Sequence, residues 1–309
     1  MVKLKIMELS EKSVNKKNPS FINYNLDLCT LKSLEKEFII VNDFQSWDLL
    51  VLDDEGRELK RIKGKGTGAP GYARAIKTRY CDDSDYVLWM KSPTEMSIVD
   101  MGDFGEIPLP NFWTYKGLEV CCTAVAANET ASKIAGIGFV QELNNIQTLH
   151  LWEIGSVLSI IEMKSIHRDC AAWLSIETSK DSKTVFIGGA SNLSLTSEDA
   201  FLFAISFDQN ATVQGFKRYN SQEADLNCVN VIRRYPYSLE EDVLILGGSG
   251  LIIVTLFSQN QFHTIQKIQT FSANPICDIA TSENILFAAT GLQKAMCCYF
   301  DPMAAEINK

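Results

Sequence analysis

The stretch VLILGGSGLIIVTLFSQNQFHTI, residues 243–265, decides the fold class. It opens with a short apolar run, passes a glycine-containing turn and enters a longer apolar run that ends in a polar turn. A third run, FHTIQKIQTF at residues 262–271, follows, and NCVNVIRRY at residues 227–235 precedes them. Short runs rich in β-branched residues and bounded by turn residues are typical of β-strands. The segment therefore predicts a unit of four consecutive strands.

The same pattern recurs, weakly, at roughly regular intervals along the chain. Helical periodicity is absent, and four strands recurring with turn signals between them are typical of a β-propeller blade. We therefore expect an all-β protein, a single β-propeller domain over residues 1–309, with six four-stranded blades and seven as the alternative. The second strands of the six units begin at Glu37, Tyr86, Lys133, Val185, Val243 and Ile285.

The chain ends suggest how the predicted ring closes. The sixth unit has only three strands before the chain runs out, whereas residues 2–9 form a strand with no unit of its own. We predict that residues 2–9 complete the last blade, because an open sheet edge invites aggregation, and that residues 11–20 link this strand to the first blade. The predicted blades are residues 21–63, 72–110, 118–163, 171–219, 226–270 and 274–301.

Three segments carry a family resemblance. In LHLWEIGSV, Trp152 and Glu153 stand where a Trp-Asp dipeptide ends the third strand of a WD40 blade. VLILGGSGLIIVTL and ILFAATG are similar to the second strand of such blades, with its end of small residues. The chain resembles a divergent WD40-like β-propeller over nearly its whole length. The resemblance implies a scaffold that recognises partners through loops held on a rigid ring.

Composition limits the classes of partner and location. The chain has 29 Lys and Arg against 38 Asp and Glu, a net charge of -9, which argues against a surface built for nucleic acid. No apolar run approaches the roughly 18 residues of a transmembrane helix, and the first ten residues lack the apolar core of a secretory signal. Nine cysteines are an odd number for a disulfide framework. We expect a soluble, cytoplasmic protein with reduced thiols and no transmembrane segment.

Several motifs resemble catalytic signatures without their context. The Asp-Phe-Gly at residues 103–105 precedes the His-Arg-Asp at residues 167–169, the reverse of the order in protein kinases. We interpret GDFGE as a tight turn whose glycines supply positive φ. The glycines of residues 64–71 precede a strand rather than the helix that a phosphate loop needs. We predict no catalytic residue, no metal and no cofactor, and hence no enzyme.

Charge separates into two predicted faces. In WD40-like propellers, the links between blades share one face with the loops between second and third strands. The opposite face would carry the acidic turns at residues 52–56, 81–85 and 238–242; an ordinary solvated surface is the alternative interpretation. The cations expected on the link face are Lys60, Arg61, Lys63, Lys65, Lys91, Lys116, Lys164 and Arg168.

One link is also aromatic. The segment LPNFWTYKG, residues 109–117, holds three aromatic side chains of the kind that anchor interfaces; alternatively, one or two of them pack between blades. We predict a non-catalytic scaffold that binds a protein or peptide, with an acidic segment as the candidate, as a subunit of a larger assembly. An enzyme that uses the central channel, or a binder of phosphoinositide or nucleic acid, are the alternatives. The predicted partner-binding residues are Arg61, Lys63, Lys65, Phe112, Trp113, Tyr115, Lys116 and Arg168.

Overall fold

A computed structural model gives the fold of the chain. It describes residues 4–8, 24–31, 36–43, 46–52, 57–65, 73–76, 86–109, 113–153, 156–192, 199–220, 225–235, 238, 241–269, 275–281, 285–290 and 294–299. Among them there is no α-helix, and the only helical elements are the 3-10 turns Gln141–Leu143 and Met163–Ser165. No helix in the described part of the chain is long and apolar enough to cross a membrane.

The strands form six four-stranded antiparallel sheets, with a short hairpin between the second and third. Sheets 1 to 5 each consist of four strands in chain order, and sheet 6 has the order β1-β26-β25-β24. Sheet 1 consists of β2 Tyr24–Leu31, β3 Lys36–Asp43, β4 Leu49–Leu52 and β5 Glu58–Ile62, sheet 2 of β6 Ala73–Ile76, β7 Tyr86–Met90, β8 Met96–Asp100 and β9 Glu106–Pro108, and the hairpin of β10 Thr114–Tyr115 and β11 Leu118–Glu119. Sheet 3 consists of β12 Cys121–Ala127, β13 Lys133–Val140, β14 Ile146–Glu153 and β15 Ser156–Glu162, and sheet 4 of β16 Ala172–Thr178, β17 Thr184–Ala190, β18 Asp199–Ser206 and β19 Val213–Asn220. Sheet 5 consists of β20 Val231–Arg234, β21 Asp242–Gly247, β22 Leu251–Ser258 and β23 Gln261–Gln269, and sheet 6 of β1 Leu4–Glu8, β24 Ile276–Thr281, β25 Ile285–Thr290 and β26 Lys294–Tyr299.

Sheet 6 combines strands from both ends of the chain. Strand β1 pairs antiparallel with β26, Leu4 opposite Cys298 and Glu8 opposite Lys294. The strand expected within residues 2–9 thus lies at the outer edge of this sheet, where it covers β26.

The middle strands of sheets 2 to 5 are largely buried on both faces. In β21, Val243 and Ile245 pack toward sheet 6, whereas Leu244 and Leu246 pack toward sheet 4. Because successive side chains of a strand point to opposite faces, a strand covered on both faces needs a continuous apolar run. This explains why residues 243–246 do not alternate between apolar and polar.

Apolar clusters fill the spaces between consecutive sheets. Among the described residues, such clusters join sheets 1 and 2, 2 and 3, 3 and 4, 4 and 5, and 5 and 6. The first strands of the sheets lie beside one another in the order β12, β16, β20, β24, β2, β6. The sheets are therefore stacked face to face with their first strands on the same side.

The Asp-Phe-Gly segment is the turn between β8 and β9, as its interpretation as a turn requires. The Gly105 N–H donates to Asp103 Oδ1 (2.7 Å) and the Phe104 N–H to Asp100 O (2.8 Å). The expectation about the glycines is wrong in detail, because Phe104 takes the positive φ, 62°, and neither glycine does.

Candidate functional site

The links between sheets meet the loops between second and third strands at one edge of the fold. In an antiparallel meander of four strands, the link leaves from the same end as that loop. A backbone hydrogen bond joins the two kinds of segment, because the Lys65 N–H donates to Lys91 O (2.7 Å). The Cys122 N–H, in the first strand of sheet 3, likewise donates to Pro93 O in the loop between β7 and β8 (3.1 Å). We call these segments the link edge. Its described residues are 46–48, 63–65, 91–95, 109, 113–120, 141–145, 163–171, 191–192, 225–230, 248–250 and 275.

Arg61 holds local structure together. Its Nη1 contacts Asp48 Oδ2 at 3.2 Å and its Nη2 contacts Glu58 Oε2 at 2.8 Å. The hydrogen bond to Glu58 is the largest cause that raises the pKa of the guanidinium. Asp48 also accepts from the Gly64 N–H at 3.0 Å. The guanidinium is therefore already engaged in joining β5 to the loop between β3 and β4.

Lys63 and Lys65 are exposed at the start of the link that follows β5. The Lys65 Nζ lies 3.1 Å from Glu95 Oε2, an ion pair open to solvent. Such a pair is worth at most about 1 kcal/mol, so Lys65 can exchange Glu95 for another carboxylate at little cost. Lys63 makes no ion pair within the part of the chain that the structure describes.

Trp113 is a core residue. Its side chain is 1% exposed, and its ring packs edge-on against Trp152, with centroids 4.1 Å apart, and 5.9 Å from the His150 ring. The prediction that Trp113 is an exposed anchor is wrong in this structure, because the ring fills the space between sheets 2 and 3. This is the alternative that the sequence left open. Phe112 lies outside the described residues.

Tyr115 and Lys116 lie at the tip of the β10–β11 hairpin. Lys116 and Gly117 both have positive φ, 52° and 77°, as a two-residue hairpin turn of the type I′ class requires. The Lys116 Nζ lies 4.7 Å from the Tyr115 ring centroid and 3.4 Å from Glu162 Oε1. Glu162 also accepts from the Tyr115 hydroxyl, which is the largest cause that lowers the pKa of this carboxyl.

Arg168 lies in the link after β15 and is exposed. Among the described residues, no hydrogen bond or ion pair joins it to the other predicted site residues. The structure thus brings Tyr115 and Lys116 together at Glu162, places Lys65 beside Lys91, and leaves Arg168 as a separate exposed cation.

The sequence missed the carboxylates of the link edge. Glu95 lies among its cations, Glu162 at the end of β15 contacts Lys116, and the Lys91 Nζ contacts Glu106 on strand β9. These contacts cross between loops, strands and sheets, so no local pattern predicts them. The link edge is consequently less basic than its lysines and arginines alone suggest.

At the opposite edge, one predicted acidic turn contacts the neighbouring sheet. Of its predicted acidic turns, residues 53–56 and 81–85 lie outside the described residues. Asp242, in the third turn, accepts from the Lys180 backbone N–H at 2.7 Å. Burial is the largest cause that raises the pKa of Asp242, so this carboxylate belongs to the contact between sheets 4 and 5.

Burial shifts the pKa values of several cysteine thiols and of His150. No group of three or more His, Cys, Asp or Glu within the described ranges could hold a metal ion. Burial raises the pKa of the Cys122 thiol well above its usual range and that of Cys170 to about 12. A protonated thiol is a poor nucleophile. Burial lowers the pKa of His150 to about 4, so this histidine is neutral at physiological pH.

No family model matches the chain, and no curated protein matches its sequence.

Proposed function

We propose that the six sheets are the blades of a closed, divergent WD40-like β-propeller, and that the protein is a non-catalytic scaffold. In this proposal the link edge binds a protein or peptide partner, and the protein is a cytoplasmic subunit of a larger assembly.

The arrangement of first strands carries the proposal of a ring. Strand β2 of sheet 1 lies beside β24 of sheet 6 on one side and β6 of sheet 2 on the other. Sheet 1, which follows β1 in the chain, therefore lies next to sheet 6, which contains the last described strand, β26. Face-to-face apolar clusters between consecutive sheets are the packing that blades of a propeller need.

The link edge supports a role in binding rather than in catalysis. The described parts of its loops make backbone hydrogen bonds to neighbouring segments, and rigidly held loops suit recognition. Two of its lysines lie close to carboxylates: Lys65 to Glu95 and Lys116 to Glu162. A phosphate would meet repulsion from those carboxylates, whereas a protein surface of mixed charge can complement both signs. These contacts favour a protein partner over phosphoinositide or nucleic acid.

Affinity purification from native extract tests the scaffold function. The tagged chain should co-purify at least one protein in near-stoichiometric amount, and Lys63→Glu should reduce its recovery by placing a like charge against an acidic partner. The matched control is Lys183→Glu, a charge reversal at another exposed lysine, in the loop between β16 and β17 at the opposite edge. Absence of any stoichiometric partner would contradict the scaffold function, and equal loss with both variants would contradict its location.

Thermal shift assays test the non-catalytic part of the proposal. ATP, a nicotinamide dinucleotide or EDTA should leave the melting temperature unchanged. A ligand at about 100 times its dissociation constant adds roughly 2.7 kcal/mol of stability, so a true nucleotide site would raise the melting temperature by several degrees and refute this part.

A further inference from the structure

Phe216 is a large apolar side chain on the surface that is nevertheless held in place. It lies on β19, the outer strand of sheet 4, and is 47% exposed. Its ring stacks on His167, with centroids 5.2 Å apart at an interplanar angle of 20°, and lies 4.9 Å from the Phe203 ring. An aromatic ring fixed from beneath loses little conformational entropy when a partner covers it, which suits an interface anchor.

The surroundings of Phe216 extend the apolar surface between sheets 3 and 4. Ile161 at the end of β15 and Ile166 in the following link are partly buried and pack against the cluster that contains Phe203. His167, in the same link, stacks on Phe216. A half-buried apolar strip therefore runs from the outer strand of sheet 3 to the outer strand of sheet 4.

Cations border this strip. Lys164 and Arg168 are exposed in the link, and Arg218 lies two residues after Phe216, on the same face of β19. Two carboxylates are also present: Asp199, whose Oδ2 lies 2.7 Å from Arg218 Nη2, and the exposed Asp169, which raises the pKa of Arg218 to a lesser extent than Asp199 does. Among the described residues, three cations against two carboxylates leave a locally positive border on a chain whose net charge is -9.

We propose that this rim patch, formed by Ile161, Ile166, His167, Phe216, Arg168 and Arg218, docks an acidic peptide segment with one aromatic or aliphatic anchor residue. The anchor covers Phe216 and the apolar strip, and the flanking acidic residues face Arg168 and Arg218. The inference rests on the proposed partner-binding function and adds the position of the site and the chemistry of its ligand. The aromatic side chain that contacts the partner is then the exposed Phe216 rather than the buried Trp113.

Selection from a random twelve-residue peptide library displayed on phage tests the proposal. The wild-type chain should enrich peptides that carry Asp or Glu around a single aromatic or aliphatic residue. In fluorescence polarisation, Phe216→Ser should weaken the selected peptides by about tenfold or more, the loss expected of an interface anchor. Arg168→Glu should weaken them by a similar factor at low salt and by much less at high salt, because the border charges are exposed and screened.

Matched controls separate the patch from general effects on the surface. Leu59→Ser removes a side chain that is 53% exposed on β5, the outer strand of sheet 1, and Lys183→Glu reverses an exposed charge at the opposite edge; both should retain full affinity. Arg168→Glu keeps the test valid if Phe216→Ser fails to fold.

Two further outcomes distinguish this inference from the proposed function. Peptides that bind wild type and both patch variants equally, or selected peptides without acidic residues, would refute the rim patch and leave the binding function standing. A library that yields no specific peptide would count against the peptide-binding function and the patch together.

Discussion

Trp113 and Gly136 fit together as single residues. Gly136 lies on β13, and a Cβ added there would overlap the far edge of the Trp113 ring. Trp113 can therefore reach Trp152 and His150 only because the facing position has no side chain. The sequence shows both residues, but nothing in it indicates that they face each other.

The first prediction concerns this contact. Gly136→Ala should lower the free energy of unfolding by about 1–3 kcal/mol, the usual cost of overpacking a core, as measured by urea denaturation. Trp113→Phe, with its smaller ring, should recover part of that loss when combined with Gly136→Ala. Gly102→Ala, in an exposed turn where the added Cβ meets only the Asp100 side chain, should have little effect. Equal losses at both glycines would contradict the contact.

The second prediction concerns His150. Its side chain is fully buried, Nε2 lies 2.9 Å from Thr148 Oγ1, and Nδ1 has no hydrogen-bond partner among the described residues. Burial lowers its pKa from 6.5 to about 4, so the unfolded chain takes up the proton more readily than the folded one. The stabilising contribution of neutral His150 is complete above pH 6.5 and is lost as the pH falls toward 4.

Measurement of unfolding free energy at pH 7 and pH 5 tests this dependence. The wild type should lose about 2 kcal/mol from this residue between the two values. His150→Gln should lack that part of the pH dependence, whereas His263→Gln, at an exposed position, should retain it. The same slope in His150→Gln and wild type would show that another group is responsible.

At the scale of elements, an ion pair joins the first strands of sheets 5 and 6. Arg233 Nη2 on β20 contacts Asp278 Oδ1 on β24 at 2.7 Å, and Arg233 Nε donates to Ile279 O at 3.1 Å. The Asp278 side chain is fully buried. A pair in this position aligns two neighbouring strands that share no hydrogen-bond ladder.

The third prediction compares this ion pair with an exposed one. Asp278→Ala should lower the free energy of unfolding by about 3–5 kcal/mol, because it leaves a largely buried guanidinium without its partner. Asp199→Ala, which removes the partner of the largely exposed Arg218, should cost about 1 kcal/mol or less. Chemical denaturation of both variants gives the comparison, and similar costs would indicate that the pair of Arg233 is well hydrated.

The sequence predicts a strand whose own residues form an apolar run, but it does not predict a contact between residues that are distant in the chain. Runs such as residues 243–246 are apolar because neighbouring sheets cover both faces, so their strands can be read locally. The contact of Tyr115 with Glu162 spans 47 residues, and no local pattern predicts it. Phe216 likewise has the same chemistry as the buried Phe203; only the position of β19 at the outer edge makes one of them exposed.

At the scale of the whole molecule, the all-β class and the four-stranded sheets were predictable, because turn residues mark each strand. The closed ring, the number of blades and the binding function stay predictions. The sequence could not indicate which link aromatics face outward, since that depends on how sheets 2 and 3 pack around Trp113.

The fourth prediction concerns β1. Deletion of residues 2–9 should expose the edge of β26, lower the melting temperature and promote aggregation, because an unpaired edge strand can pair with other chains. Addition of a synthetic peptide of residues 1–10 should restore part of the lost stability. A truncated chain that melts and elutes like the full-length protein would contradict the structural role of this strand.

The antiparallel pairing of β1 and β26 also determines how the molecule resists mechanical force. Leu4, at the start of β1, is opposite Cys298, near the end of β26. These two residues lie at the same end of the hydrogen-bond ladder between β1 and β26. A force that pulls them apart therefore acts perpendicular to the strands, and the hydrogen bonds of the ladder break one after another. In shear, they would have to break together. Sheet 6 should consequently be the first sheet to open under tension, at low force, while sheets 1 to 5 remain folded.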